Sequence, residues 1–171
     1  MTEVVIRLAT VEDAGSIAAL NREHAEYEGA GDLCHTTAAD IRREGFGERP
    51  RIEMLIAELV SEAGSESGPE PVGFAMFYEP FSSWEGRAIL FLEDLYVSER
   101  ARGSGLGRKL MARLAAITRE RGCPRLDWLV THDNPAVSFY RTLGAGHMDD
   151  WHFYRLGGTS LDALADEAVP P

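Results

Sequence analysis

At 171 residues, with 44% hydrophobic and 26% charged side chains, the chain has the balance of a globular protein with one sizeable core. No apolar run approaches the ~20 residues that span a bilayer, and Met1-Thr2-Glu3-Val4-Val5 carries no basic stretch ahead of an apolar one, so a cytoplasmic protein without membrane contact is expected. The formal net charge of −11 argues against a nucleic-acid partner, which needs clustered Lys and Arg; it suits a cationic small molecule, although acidity also simply confers solubility.

In chain order, Val4 to Leu8 is a β-branched run that predicts a strand, and Thr10 with Asp13 resembles a capping box opening a helix. That helix carries Ile17, Ala18 and Leu20 towards Tyr27 and breaks at Gly29-Ala30-Gly31. A second helix is expected from Thr37 through Ile41 to Gly45, then a buried strand over Met54 to Val60. Ser61 to Pro71 is too polar and glycine-rich to pack and is read as a solvated hairpin loop. Two strands follow, Val72 to Tyr78 and Ala88 to Val97, joined through Pro80 to Gly86, so the early half reads as antiparallel.

Past a glycine-rich loop, Leu106, Leu110, Leu114 and Ile117 recur at helical spacing with Arg108, Lys109, Arg113 and Arg119 opposite, and the helix ends at Gly122 before Pro124. Arg125 to Thr131 is the next predicted strand, Pro135 to Leu143 a short helix stopped by Gly144, and Trp151 to Leu156 a last strand. Residues 158–171 form an acidic tail with at most one loose helix, and residues 1–157 read as a single domain.

The chemistry concentrates in Arg102-Gly103-Ser104-Gly105-Leu106-Gly107. A strand, a glycine loop and a helix start in that order gather backbone N–H groups and a positive helix end around one point, which is an anion cradle; the alternative is a glycine turn that merely connects. A Walker loop is excluded because Gly107 is followed by Arg108-Lys109-Leu110, and a Rossmann fingerprint because the spacing is Gly-x-Gly-x-Gly. Cys34 and Cys123 have neither disulfide-framework nor zinc spacing, and His24, His35, His132, His147 and His152 form no ligand spacing or triad, so no metal is expected and these side chains read as ordinary.

The glycine loop resembles the pyrophosphate loop of the GCN5-related N-acetyltransferases (GNAT), and Phe139-Tyr140-Arg141-Thr142-Leu143-Gly144-Ala145 is similar to that superfamily's second signature. Tyr27-Glu28, Glu44 to Glu48, Val72 to Met76 and Leu92 to Val97 resemble the spermidine/spermine (diamine) and thialysine branch, and the likeness runs over roughly residues 4–157. The resemblance implies an α/β fold: a mixed, mostly antiparallel sheet of six or seven strands with a central splayed parallel pair and about four flanking helices. It implies acetyl-CoA as cosubstrate, with the backbone of Leu95, Tyr96 and Val97 on the pantetheine and acetyl carbonyl. Gly103, Ser104, Gly105, Leu106, Gly107 and Arg108 would receive the pyrophosphate, with added charge from Arg102, while Asn134, Ala136 and Tyr140 would also face the cofactor.

The same resemblance implies a homodimer and an acceptor that is the primary amine of a small cationic molecule. Glu93 is the expected general base, acting directly or through a water, and Tyr140 the expected acid for the departing thiolate. Tyr27, Glu28, Trp84, Glu93 and Asp94 are the acceptor candidates, with Asp149, Asp150 and Trp151 behind them. Where the family carries Asn seven residues before the tyrosine, this chain has Asp133 with Asn134 beside it, and either could take that place. Another acceptor class, or a non-catalytic acetyl-CoA sensor, stays open at this point.

Overall fold

The computed structural model describes residues 3–60 and 68–168; residues 61–67 of the expected hairpin loop and the last three of the tail lie outside them. The chain divides into two compact units, Met1–Thr131 and His132–Pro171.

In the first unit β1 (Glu3–Leu8), β2 (Glu53–Val60), β3 (Glu70–Tyr78), β6 (Leu90–Val97) and β7 (Leu126–Trp128) form one sheet in the order β1-β2-β3-β6-β7. All pairs are antiparallel except β6–β7, which is parallel. A two-residue ribbon, β4 (Phe81–Ser82) with β5 (Arg87–Ala88), fills the connection from β3 to β6. Helices α1 (Ala14–Tyr27), α2 (Ala38–Phe46) and α3 (Leu106–Glu120) cover the sheet; α4 (Ala136–Thr142) and α5 (Gly158–Asp166) belong to the second unit. The mixed α/β class expected from the sequence is the one observed. None of the described helices is long and apolar enough to cross a membrane.

Local chemistry sets most element ends. Asp13 accepts the Thr10 backbone N–H at 2.7 Å ahead of α1, and Thr37 accepts from Asp40 N–H at 3.2 Å to start α2. Gly29, Gly122 and Gly144 stand at φ +70°, +70° and +84° where α1, α3 and α4 stop. Period-2 alternation sends Met54, Ile56, Phe74, Met76 and Tyr96 into a core with Ala14, Ile17, Leu20 and Ile41 of α1 and α2. Burying each large member contributes roughly 1.5–3 kcal/mol. The intervening residues Leu55, Ala57, Ala75 and Phe77 are fully buried as well, on the face that α3 covers with Leu106, Leu110, Leu114 and Ile117. Gly73 is required between β3 and β6, since a Cβ there would lie 2.9 Å from the Tyr96 carbonyl oxygen.

Arg7 ties β1 to this framework. Its guanidinium donates to Asp13 at 2.7 and 2.8 Å and to Glu58 at 2.9 Å on two nitrogens, and both carboxylates are less than a tenth exposed. Hydrogen bonding to Arg7 holds the Asp13 carboxyl at about 2, below its usual 3.8, against the opposing effect of burial.

Two expectations are corrected. The strand predicted over Arg125 to Thr131 contracts to Leu126–Trp128, because its pairing with β6 ends at Leu92↔Trp128. The strand predicted over Trp151 to Leu156 does not form: these residues carry no regular structure and are exposed. Alternating side chains do not make a strand unless the backbone N–H and C=O groups find a ladder, and among the described residues none pairs with this segment.

Candidate active site

The parallel partner leaves β6 halfway. Leu90, Phe91 and Leu92 pair with β7, whereas Glu93 to Val97 have no described ladder partner on that edge. Ser98 N–H bonds Val72 O at 2.8 Å, so in the antiparallel ladder with β3 the even residues Tyr96 and Asp94 spend their backbone groups on β3. Leu95 and Val97 therefore turn their N–H and C=O groups to the open edge. Arg102 agrees with this, as its Nε donates to Val97 O at 3.1 Å. Tyr96 departs from the expectation that its backbone faces the cofactor: that backbone is spent on β3, and the residue turns its phenol side chain to the cleft.

Immediately beyond, a turn over Glu99–Ala101 leads into the glycine loop. Gly103 and Gly105 have φ of +76° and +78°, a conformation that side chains with a Cβ rarely adopt. Ser104 donates its hydroxyl to Ala101 O at 2.6 Å and so braces the loop from inside. Gly105 begins α3 without a side-chain cap, and the first helical bond runs from Lys109 N–H to Gly105 O at 3.1 Å. The N–H groups of Leu106, Gly107 and Arg108 thus emerge from the helix start, where an anion is favoured. A Cβ added at Gly103 or Gly105 would meet no protein atom within 4 Å, so the ground in front of the loop is open to a ligand. These features fit a pyrophosphate.

On the α1 side of the sheet β6 carries two carboxylates in a row. Met76 pairs with Asp94 and Phe77 with Leu92, which makes Glu93 the extra residue of a β-bulge. Glu93 keeps the parity of Phe91, opposite Tyr78, and Asp94 keeps that of Tyr96, so both project to the same side. Desolvation, then the charge of Asp94, raises the Glu93 carboxyl above its ordinary value. Desolvation also raises Asp94, with His24 pulling it down and Glu28 pushing it up. Glu28 lies one residue past α1, with His24 Nε2 3.4 Å from its Oε1.

Next to this cluster a cleft of about 600 Å³ is lined by Glu23, Tyr27, Tyr96, Ser98, Arg100 and Arg102 among others. The Arg102 guanidinium lies 3.9 Å above the Tyr27 ring and 5.7 Å from that of Tyr96. It is turned towards α1 and the strand edge, not into the glycine loop. Trp84 sits in the turn of the β4–β5 ribbon with 88% of its surface exposed.

In the second unit Asn134 accepts the Ala136 N–H at 2.8 Å and so fixes the start of α4, while Asp133 is an exposed turn residue. Tyr140 is half-buried, its ring 5.3 Å from that of Phe139. Asp149 pairs with His147 at 2.7 Å; Asp150 and Trp151 are exposed.

Sequence reasoning passed over His24. Its Nδ1 is 3.7 Å from Asp94 Oδ1, and its ring stacks on Tyr96 at 5.3 Å. The four-residue step to Glu28 on a helix was a legible signal; the contact with β6 was not.

A sheet opened beside its parallel pair, with a glycine loop and an uncapped helix start at the mouth, is the arrangement expected of a CoA-dependent acyltransferase. Residues 23–145 match the acetyltransferase (GNAT) family, and the chain belongs to that family; it is an acetyl-CoA-dependent N-acetyltransferase. The thialysine N-epsilon-acetyltransferase of Bos taurus is 38% identical over 169 residues, covering 96% of this chain and 99% of its own. Spermidine/spermine N(1)-acetyltransferase-like protein 1 of Homo sapiens is 37% identical over 95% of this chain, which corresponds to 24% of the human protein. Among solved structures, an integron cassette protein from the mobile metagenome of V. cholerae superposes with a TM-score of 0.77 at 28% identity, covering 96% of this chain and 98% of its own.

Proposed function

We propose that this enzyme acetylates a primary amine of a small cationic acceptor, a diamine, polyamine or thialysine-like molecule, by direct attack in a ternary complex. The observation that carries the reading is the group of carboxylates Glu28, Glu93 and Asp94 on one side of the sheet, beside the open edge of β6. An acceptor with a second ammonium group finds counter-ions there, and the names of the bovine and human relatives support the same chemistry.

Bound acetyl-CoA supplies an acyl carbon activated as a thioester. The N–H groups from Gly103 to Arg108 would hold its pyrophosphate, and the Leu95 and Val97 backbone groups would hold its arm. An alkylammonium must lose a proton before its nitrogen can attack. Glu93, whose carboxyl is raised by desolvation and by Asp94, is suited to take that proton, directly or through one water. Tyr140 is assigned the proton for the departing thiolate on the strength of its motif, Phe139-Tyr140-Arg141-Thr142-Leu143-Gly144. Tyr27 and Trp84 are assigned to the walls of the acceptor site.

We read residues 1–157 as one catalytic domain with 158–171 as a tail; the family match over residues 23–145, which runs across Thr131, supports the single domain. We also infer a cytoplasmic homodimer, the dimer resting on the resemblance alone, and light scattering at micromolar concentration measures it. The acceptor is tested by thiol release from acetyl-CoA with putrescine, spermidine, thialysine, lysine, an aminoglycoside and a lysine peptide. Turnover should favour the first three; preference for the peptide or the aminoglycoside, or no turnover despite acetyl-CoA binding, overturns the reading.

A further inference from the structure

His24 is set between two carboxylates from different elements, with Nε2 3.4 Å from Glu28 Oε1 and Nδ1 3.7 Å from Asp94 Oδ1. Its ring stacks on Tyr96, which is 6% exposed, so the core contributes to its position. The His24 side chain is 18% exposed, against 42% for Glu28 and 34% for Asp94, which places the imidazole inside and the carboxylates towards the surface. An imidazolium donates from both nitrogens and reaches both carboxylates; a neutral imidazole has one N–H and reaches one.

We propose that His24 is a specificity-determining residue that acts as an internal counter-ion, competing in its protonated form with the distal ammonium of the acceptor for Glu28 and Asp94. The competition is one of ion pairing, and no covalent bond changes. The consequence is selective. A diamine is held more weakly as the imidazole becomes charged, while a monoamine, which makes no demand on the pair, is indifferent to it.

The titratable and charged groups recorded against His24 are Glu28 from the end of α1 and Asp94 with the Tyr96 phenol from β6, and Arg102 lies 5.7 Å from that Tyr96 ring. Protonation of Asp94, whose carboxyl is raised, weakens diamine binding in the same direction as His24. The decisive comparison is therefore between fixed charges at one pH.

This inference rests on the acceptor site proposed above. KM and kcat are measured at pH 8 for a diamine and a monoamine of equal chain length, with wild type, His24→Lys and His24→Gln, after circular dichroism shows that each variant is folded. His24→Lys places a permanent cation at the pair and should raise the diamine KM about five- to tenfold relative to the monoamine KM, a loss in binding and not in kcat. Between pH 8 and 6.5 the wild-type diamine KM should rise more steeply than that of His24→Gln. Equal effects on diamine and monoamine, or parallel pH profiles for wild type and His24→Gln, overturn the counter-ion role while leaving the acceptor reading intact. Failure of every amine to be acetylated removes both.

Discussion

Replacing Gly105 by alanine separates the backbone role of the cradle from its ligand role. Gly105 sits at φ +78°, ψ 8°, and an added Cβ meets no protein atom within 4 Å, so the cost to the fold is conformational and not steric. A left-handed L-residue costs about 1–2 kcal/mol, which for a chain of this size lowers Tm by roughly 2–8 °C. The methyl group also stands in front of the N–H groups of the α3 start, where a phosphate must approach. Loss of one charge-assisted hydrogen bond there, about 1.5–3 kcal/mol, weakens acetyl-CoA roughly ten- to hundredfold. Gly122, at φ +70° with equally open surroundings at the far end of α3, is the matched control. Gly122→Ala should show the same loss in Tm with acetyl-CoA affinity within twofold of wild type. Calorimetric titration with acetyl-CoA and thermal melts of both variants decide the matter. Gly105→Ala binding acetyl-CoA as tightly as Gly122→Ala would falsify the cradle assignment.

Arg7→Met strands two nearly buried carboxylates and should cost about 3–5 kcal/mol in urea unfolding at pH 7; a loss under 1 kcal/mol removes the network from the stability account. Because hydrogen bonds to Arg7 depress the Asp13 carboxyl from 3.8 to about 2, its stabilisation is complete above pH 4 and is lost as pH falls towards 2. The amount is about 2 kcal/mol, and an Asp13→Asn variant that keeps the wild-type acid limb of stability against pH contradicts it. Tyr140→Phe should lower kcat about 10²–10⁴-fold with acetyl-CoA affinity preserved, and an unchanged single-turnover rate removes the acid role. Glu93→Gln should abolish the acid limb of kcat/KM, which in the wild type falls above the ordinary glutamate range because burial and Asp94 raise this carboxyl; persistence of that limb assigns it to another group.

Elements whose causes are local were legible in the residues alone. The glycine loop depends on φ > 0 at single positions and on a helix start without a cap, and both are properties of adjacent residues. The helices over Ala14–Tyr27, Ala38–Phe46 and Leu106–Glu120 follow from apolar spacing and the residues at their ends. The predicted strand over Trp151 to Leu156 failed for the complementary reason, since a ladder partner is not encoded in the strand that needs one.

Sequence by itself thus determined the family, the glycine loop ahead of α3 and the candidate carboxylates. Only the tertiary structure decided which groups meet. The register of β3 against β6 makes Glu93 a bulge residue and brings Glu93 and Asp94 to one face, where strict alternation would have parted them. The same register commits the Tyr96 backbone to β3 and frees those of Leu95 and Val97. Packing of α1 on β6 sets His24 between Glu28 and Asp94, a contact that follows from the sheet beneath the helix and from nothing in its neighbourhood along the chain.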